Sequence, residues 1–167
     1  MVALSFNKVM TKIFGSRNER LIKTYRRRVQ AVNALEPQVR ALSDAQLKAR
    51  TEEISALFRE AENGGPPVKE WDYLPEAFAI MRESMDRQIG LRSAFNPEMN
   101  FDPSILPTQE LRDLYTDVKF KCVGEHDWRF VEIPVAMYDA LRAAVPQDRP
   151  PFRARPFDVQ LIGGMVL

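Results

Sequence analysis

The sequence predicts a mainly α fold, and three observations carry that prediction. Apolar residues recur at helical spacing in four separate stretches before residue 90. Capping signals stand at the head of two of them, Ser16-Arg17-Asn18-Glu19 and Ser43-Asp44-Ala45-Gln46. Clusters of Gly and Pro separate the stretches, as helix stops and turns do.

Residues 2–14 read as a short amphipathic helix, with Val2, Phe6, Val9, Met10 and Ile13 on one side and Lys8 and Lys12 on the other. Gly15 stops it. The next helix carries Leu21, Ile22, Tyr25, Val29 and Val32, and Pro37 is expected to end it. Ser43 opens a third that runs to about Ala61, with Leu47, Thr51, Ile54 and Phe58 inward. Asn63-Gly64-Gly65-Pro66-Pro67 is a loop. Leu74-Pro75 opens a fourth, with Pro in its first turn. Leu74, Phe78, Met81, Met85 and Ile89 form its expected buried stripe, and Gly90 its stop.

Residues 93–153 are flanked by Pro97, Pro103 and Pro107 on one side and Pro146, Pro150 and Pro151 on the other. Their aromatics and periodicity predict a small folded accessory element of mixed structure. It holds a helix capped by Thr108 (Leu111, Leu114, Tyr115, Val118), a short strand through Trp128, Phe130, Val131 and Ile133, and a helix opened by Pro134 (Val135, Tyr138, Leu141, Val145).

Net charge is +1, but its distribution is uneven. Residues 1–28 hold Lys8, Lys12, Arg17, Arg20, Lys23, Arg26, Arg27 and Arg28 against one acid, Glu19, while the rest of the chain is acidic. Such a basic amino end reads either as a solvated helix surface or as an element that docks on anionic lipid or a membrane partner. It lacks the interleaved aromatics that base stacking needs, so no nucleic-acid partner is expected. No apolar run reaches the roughly 18 residues of a membrane span, and no continuous apolar core of a signal peptide is present. The cytosol, including a membrane surface facing it, is the expected location. Cys122 has no partner for an internal disulfide. Cys122 and His126 supply two metal ligands where a structural zinc site wants four, so no metal is expected. No Ser–His signature points to nucleophilic catalysis.

The final residues carry the one constellation with ligand chemistry. Phe157 offers a flat apolar ring and Gln160 an amide that both donates and accepts. That pair suits adenine, which can stack on the ring and pair with the amide through N6 and N7. Taken by themselves, the same residues fit better a core Phe and a polar residue at a helix start, since Phe-x-x-Gln is a common spacing. The glycines, at 15, 64, 65, 90, 124, 163 and 164, never precede Lys, so there is no phosphate-cradling loop, nor is there an acidic Walker-B strand. The chain ends on Met165-Val166-Leu167, an apolar run expected to be an element cut short.

Phe157-Asp158-Val159-Gln160-Leu161-Ile162-Gly163-Gly164-Met165-Val166-Leu167 closely resembles the adenine-reading Q motif of the SecA family, the ATPases that drive preproteins through the bacterial secretory channel. Lys12-Ile13-Phe14-Gly15-Ser16-Arg17-Asn18-Glu19-Arg20 is similar to the family's opening. Leu35-Glu36-Pro37, Leu42-Ser43-Asp44, Leu74-Pro75-Glu76-Ala77-Phe78-Ala79 and Arg82-Glu83-Ser84 follow in the family's order. The likeness covers about residues 8–92 and 153–167 and skips the Pro-flanked segment.

The resemblance implies the amino-terminal helical region of a RecA-like α/β motor, truncated before the P-loop, with a small mixed insert. Its parts would be residues 1–92, the insert at 93–153, and the start of the nucleotide-binding domain at 154–167. The cofactor implied is ATP, with Mg in the whole family protein. Phe157 and Gln160 would contact the adenine, with Arg155 on the family's Arg before the aromatic and Ala154 where the family usually has a Met beside the base. Lys8, Lys12, Arg17, Arg20, Lys23, Arg26, Arg27 and Arg28 would meet the membrane or channel. The implied partners are the secretory channel, a preprotein, an anionic phospholipid surface and a second copy of the chain in a homodimer. The implied location is cytoplasmic and peripheral on the cytoplasmic face of the inner membrane. The chain alone should bind ATP weakly and hydrolyse none, and the last helix should leave its apolar face bare. The rival reading is a non-enzymatic module that docks on a membrane or channel.

Overall fold

The computed structural model describes residues 17–122, 127–146 and 150–166, with the side chain of Arg17 left out. Expectations for the helix at 2–14, with Lys8 and Lys12, for the Ser16 cap, and for His126 lie outside the described residues. Within them the fold is mainly α and contains no strand. The helices are α1 (Arg17–Arg40), α2 (Asp44–Glu62), α3 (Glu70–Met85), α4 (Gln109–Lys121), α5 (Val135–Ala144) and α6 (Asp158–Val166). After α3 the chain widens into a π turn, Asp86–Gly90, and then tightens into a 3-10 turn, Leu91–Phe95.

The local signals act where they stand. Ser43 accepts from the Gln46 amide while the Gln46 side chain accepts from the Ser43 amide, at 3.2 and 2.8 Å, so the capping box at the head of α2 is complete. Thr108 caps α4 and Pro134 precedes α5. Elsewhere tertiary structure overrides the local rule. α1 runs through Pro37 to Arg40, and at its end the buried Arg87 guanidinium takes the Arg40 and Leu42 carbonyls, at 2.9 and 2.8 Å. α3 starts at Glu70, which puts Pro75 inside the helix rather than in its first turn. Glu70 and Asp72 complement the helix dipole there. The expected strand at 128–133 is a turn followed by irregular chain, since among the described residues no second strand lies beside it. Arg92 instead accepts the role of partner, donating to the Trp128 and Val131 carbonyls at 3.2 and 2.7 Å.

Two apolar cores result. One joins α1, α2, α3 and α6 through Val29, Val32, Leu47, Ile54, Ile80 and Leu161. The other is built by the 91–153 segment around Leu91, Phe95, Tyr115, Tyr138 and Leu141, where the Phe95 and Tyr115 rings stack with centroids 5.0 Å apart. The expected inward side of Thr51 is wrong: it is exposed and bonds back to the Leu47 carbonyl at 2.8 Å.

Between the cores the expected stripe of α3 is also displaced. Met85 and Ile89 are exposed, and Ala79, Ile80, Arg82, Glu83, Asp86 and Arg87 turn inward. Charged residues occupy this face because they neutralise one another. Arg87 binds Glu83 and Asp44 at 2.6 and 3.0 Å, Arg92 binds Asp44 at 2.5 Å, and Arg142 binds Glu83 at 2.7 Å. The network thereby links α2, α3 and both ends of the 91–153 segment.

Those ends lie side by side. A Cβ placed on Gly90 would stand 2.6 Å from the Ala154 nitrogen and 2.9 Å from the Arg153 backbone, so only glycine permits the approach. Gly163, inside α6, has open space around it. The two substitutions should therefore have opposite signs. Gly90→Ala is expected to destabilise by about 1–3 kcal/mol through overpacking. Gly163→Ala is expected to stabilise by about 0.5–1 kcal/mol through helix propensity. Urea denaturation of the two variants measures both.

Candidate functional site

Phe157 and Gln160 meet at the head of α6. The Gln160 amide nitrogen donates to the Phe157 carbonyl at 2.9 Å, and the Phe157 amide donates to Gln160 Oε1 at 2.7 Å. This is half of a capping box, with the long side chain reaching back over the first turn. The Phe157 ring is half-exposed, and the Gln160 side chain is exposed. Together with Met85, Arg155 and Pro156 they line an open recess of about 330 Å³.

Ion pairs hold the segments that form the recess. Arg153 grips Asp86 with two parallel bonds, 3.0 and 2.9 Å, and donates to the Val145 carbonyl at 3.0 Å. The Ala154 amide reaches the same Asp86 at 3.3 Å. Arg155 pairs with Glu36, which also receives Arg82 at 2.6 Å and Arg40 at 3.2 Å. Asp158, the first residue of α6, receives Arg82 at 2.7 Å and Asn33 at 3.2 Å. Burial alone would raise the Glu36 carboxyl, but the bonds from Arg82 and Arg155 outweigh it and hold it below its ordinary value. Asp158 is likewise held low, its modest burial outweighed by Arg82 and Asn33.

The sign of the pH dependence follows. A carboxyl held low in the folded state contributes stability that is complete above its unfolded value and lost as pH falls through the folded one. The urea midpoint is expected to fall increasingly once pH drops below about 4, where free carboxyls protonate. A midpoint that stayed flat from pH 7 to pH 3 would contradict the assignment of these two pairs.

The donor set fits a base. Gln160 Oε1 has two lone pairs, so it can hold the Phe157 amide and still accept from an adenine amino group, while Nε2 is available to donate. The Phe157 ring, half-exposed, offers apolar surface for stacking. A volume of 330 Å³ sits at the low end of the roughly 300–1,000 Å³ range of ligand sites. The arginines in the recess, Arg153 and Arg155, are both committed to carboxylates.

The last helix is covered on one side only. Leu161 and Met165 are buried against α1 and α3, whereas Val159 and Val166 are exposed. The expectation of a bare apolar face thus holds for half of the helix.

The basic residues separate into two groups. Arg20, Lys23, Arg26 and Arg27 are exposed along α1, beside the exposed Leu21 and Ile22. Arg28 is half-buried and lies 3.4 Å over the Trp71 ring, so its charge is engaged within the fold. Among the described residues no helix is long and apolar enough to cross a membrane. The Cys122 thiol donates to the Val118 carbonyl at 3.2 Å.

Sequence reasoning missed Met85 and Asp86, the first in the recess and the second beneath it. Apolar periodicity counts Met85 in the stripe of α3, and Asp86, the first residue of the π turn, counts as surface because it is charged. The signal available was the run of charges at 82, 83, 86 and 87, whose helical spacing marks a face of its own.

A family model described as the SecA DEAD-like domain matches residues 10–167. Among curated proteins, the protein translocase subunit SecA of Dechloromonas aromatica is 50% identical over 84 residues, which is 50% of this chain and 9% of that protein. The corresponding subunit of Ralstonia pickettii is 45% identical over 105 residues, 63% of this chain and 10% of that protein. Protein translocase subunit SecA 1 of Nitrosospira multiformis is 42% identical over 107 residues, 64% of this chain and 10% of that protein. The matched part of the chain thus spans about a tenth of the length of these relatives. No solved structure matches.

Proposed function

The chain belongs to the SecA DEAD-like domain family, and from that premise we propose that it supplies the amino-terminal, adenine-contacting part of a SecA-type protein translocase. The whole protein would couple ATP hydrolysis to the movement of preproteins through the secretory channel, working at the cytoplasmic face of the inner membrane. The observation that carries this reading is that Phe157 and Gln160 face one recess at the head of α6, with the amide still able to pair with a base.

Phe157 and Gln160 would hold the adenine of ATP, and Asp158 would hold their helix against α1 and α3 through Arg82. ATP with Mg would supply the phosphoryl-transfer chemistry. This chain's residues supply only recognition of the base, since most nucleotide affinity comes from phosphate and metal contacts that they do not make. Purified chain with Mg-ATP is therefore expected to release no phosphate above background, and clear turnover would overturn the assignment.

A second reading rests on α1. Arg20, Lys23, Arg26 and Arg27 stand exposed next to Leu21 and Ile22, the pairing of charge and apolar surface that suits an anionic bilayer or a channel surface. Flotation with vesicles rich in anionic lipid tests it. Binding is expected at low salt and not at high salt, and it should be lost when Lys23, Arg26 and Arg27 are neutralised together. Binding that survived neutralisation would reject the electrostatic mode.

A further inference from the structure

The recess has a wall that comes from outside the Phe157–Gln160 segment. Met85 stands at the last turn of α3, where its neighbours Arg82, Glu83, Asp86 and Arg87 are all buried, yet Met85 itself is 36% exposed and lines the recess. Ala154, on the segment leading to Phe157, contributes only a methyl group to the same recess. Asp86, the residue after Met85, binds both the Arg153 guanidinium and the Ala154 amide, so the position of Met85 relative to the recess is fixed by direct hydrogen bonds. A thioether is polarizable and adapts to a flat π surface.

We propose that Met85 is a base-contacting residue, giving an adenine in this recess the apolar contact that Ala154 is too short to make. This rests on the reading of Phe157 and Gln160 as adenine contacts. The contact reaches the base from α3, across the junction where the 91–153 segment leaves and returns. The exposed Met85 side chain lines the recess, so its thioether is within reach of a base held there.

Adenosine titrated into the full chain labelled at the methionine methyl groups tests this, with the Gln160 side-chain amide followed in parallel. The Met85 methyl resonance, assigned through Met85→Ala, is expected to shift with the same saturation curve as the Gln160 amide, while that of Met137, fully buried in the other core, stays still. Met85→Ala is expected to weaken adenosine binding about two- to tenfold, the range of a sulfur–aromatic contact, with an unchanged urea midpoint. Met85→Leu should recover part of the loss. If the Gln160 amide shifts but the Met85 methyl does not, and Met85→Ala binds as the parent does, the Met85 contact is wrong and the adenine reading stands. If neither resonance responds to adenosine, the adenine reading fails and the Met85 contact falls with it.

Discussion

Replacing Asp86 with Ala is expected to destabilise the protein by about 3–5 kcal/mol, the range for breaking a buried ion pair from one side. Asp86 is wholly buried, and the Arg153 side chain opposite it is 4% exposed. Both Asp86 oxygens are engaged by Arg153, and one also accepts from the Ala154 amide. Truncation would strand a guanidinium in the interior and free the chain just before Phe157. The large effect comes from the charge left behind rather than from the worth of the pair. Asp86→Leu combined with Arg153→Met should therefore recover much of the loss, although the Val145 carbonyl that Arg153 also satisfies would keep the recovery incomplete. Urea denaturation of Asp86→Leu, Arg153→Met and the double variant measures the coupling directly.

Replacing Arg82 with Met is the second large effect, again about 3–5 kcal/mol. Arg82 is 1% exposed and joins three helices, binding Glu36 and Asn33 on α1 at 2.6 and 2.7 Å and Asp158 on α6 at 2.7 Å. Its loss would leave Glu36 with Arg40 and Arg155, and would release the head of α6 from α3. The same ion pair looks different from its other end. The Asp158 side chain is 57% exposed, and Asp158→Asn keeps an acceptor in place, so that change is expected to cost only about 1 kcal/mol or less. Measured side by side, the pair tests whether burial of the guanidinium sets the cost. Equal losses for Arg82→Met and Asp158→Asn would refute that account.

Local chemistry in the sequence reached far into this fold. Ser43, Thr108 and Pro134 mark helix starts by interactions spanning three or four residues, and each helix begins where its mark stands. The pairing of Phe157 with Gln160 is local too, and the structure brings the two together. What was hidden depends on partners far along the chain. Pro37 does not end α1, which runs on to Arg40, where Arg87 takes the last carbonyls from 45 and 47 residues away. Residues 128–133 do not form a strand, and Arg92 takes the Trp128 and Val131 carbonyls that a neighbouring strand would have paired. The inward face of α3 escaped an apolar-periodicity argument because it is charged, and charge counts as surface until its partners are known. Met85 followed the same error, placed in a core stripe when it lines the recess.

On the proposed reading, this chain recognises a base and not its phosphates. Equilibrium titration of adenosine and of Mg-ATP onto the parent chain and onto Gln160→Glu tests it. The variant keeps an oxygen for the Phe157 amide but loses the donor that adenine needs, so the fold is retained while recognition is not. The account predicts that adenosine and Mg-ATP bind the parent within about twofold of each other, and that Gln160→Glu weakens both about tenfold or more. Mg-ATP binding about a hundredfold tighter than adenosine, or adenosine affinity unchanged in Gln160→Glu, would contradict it.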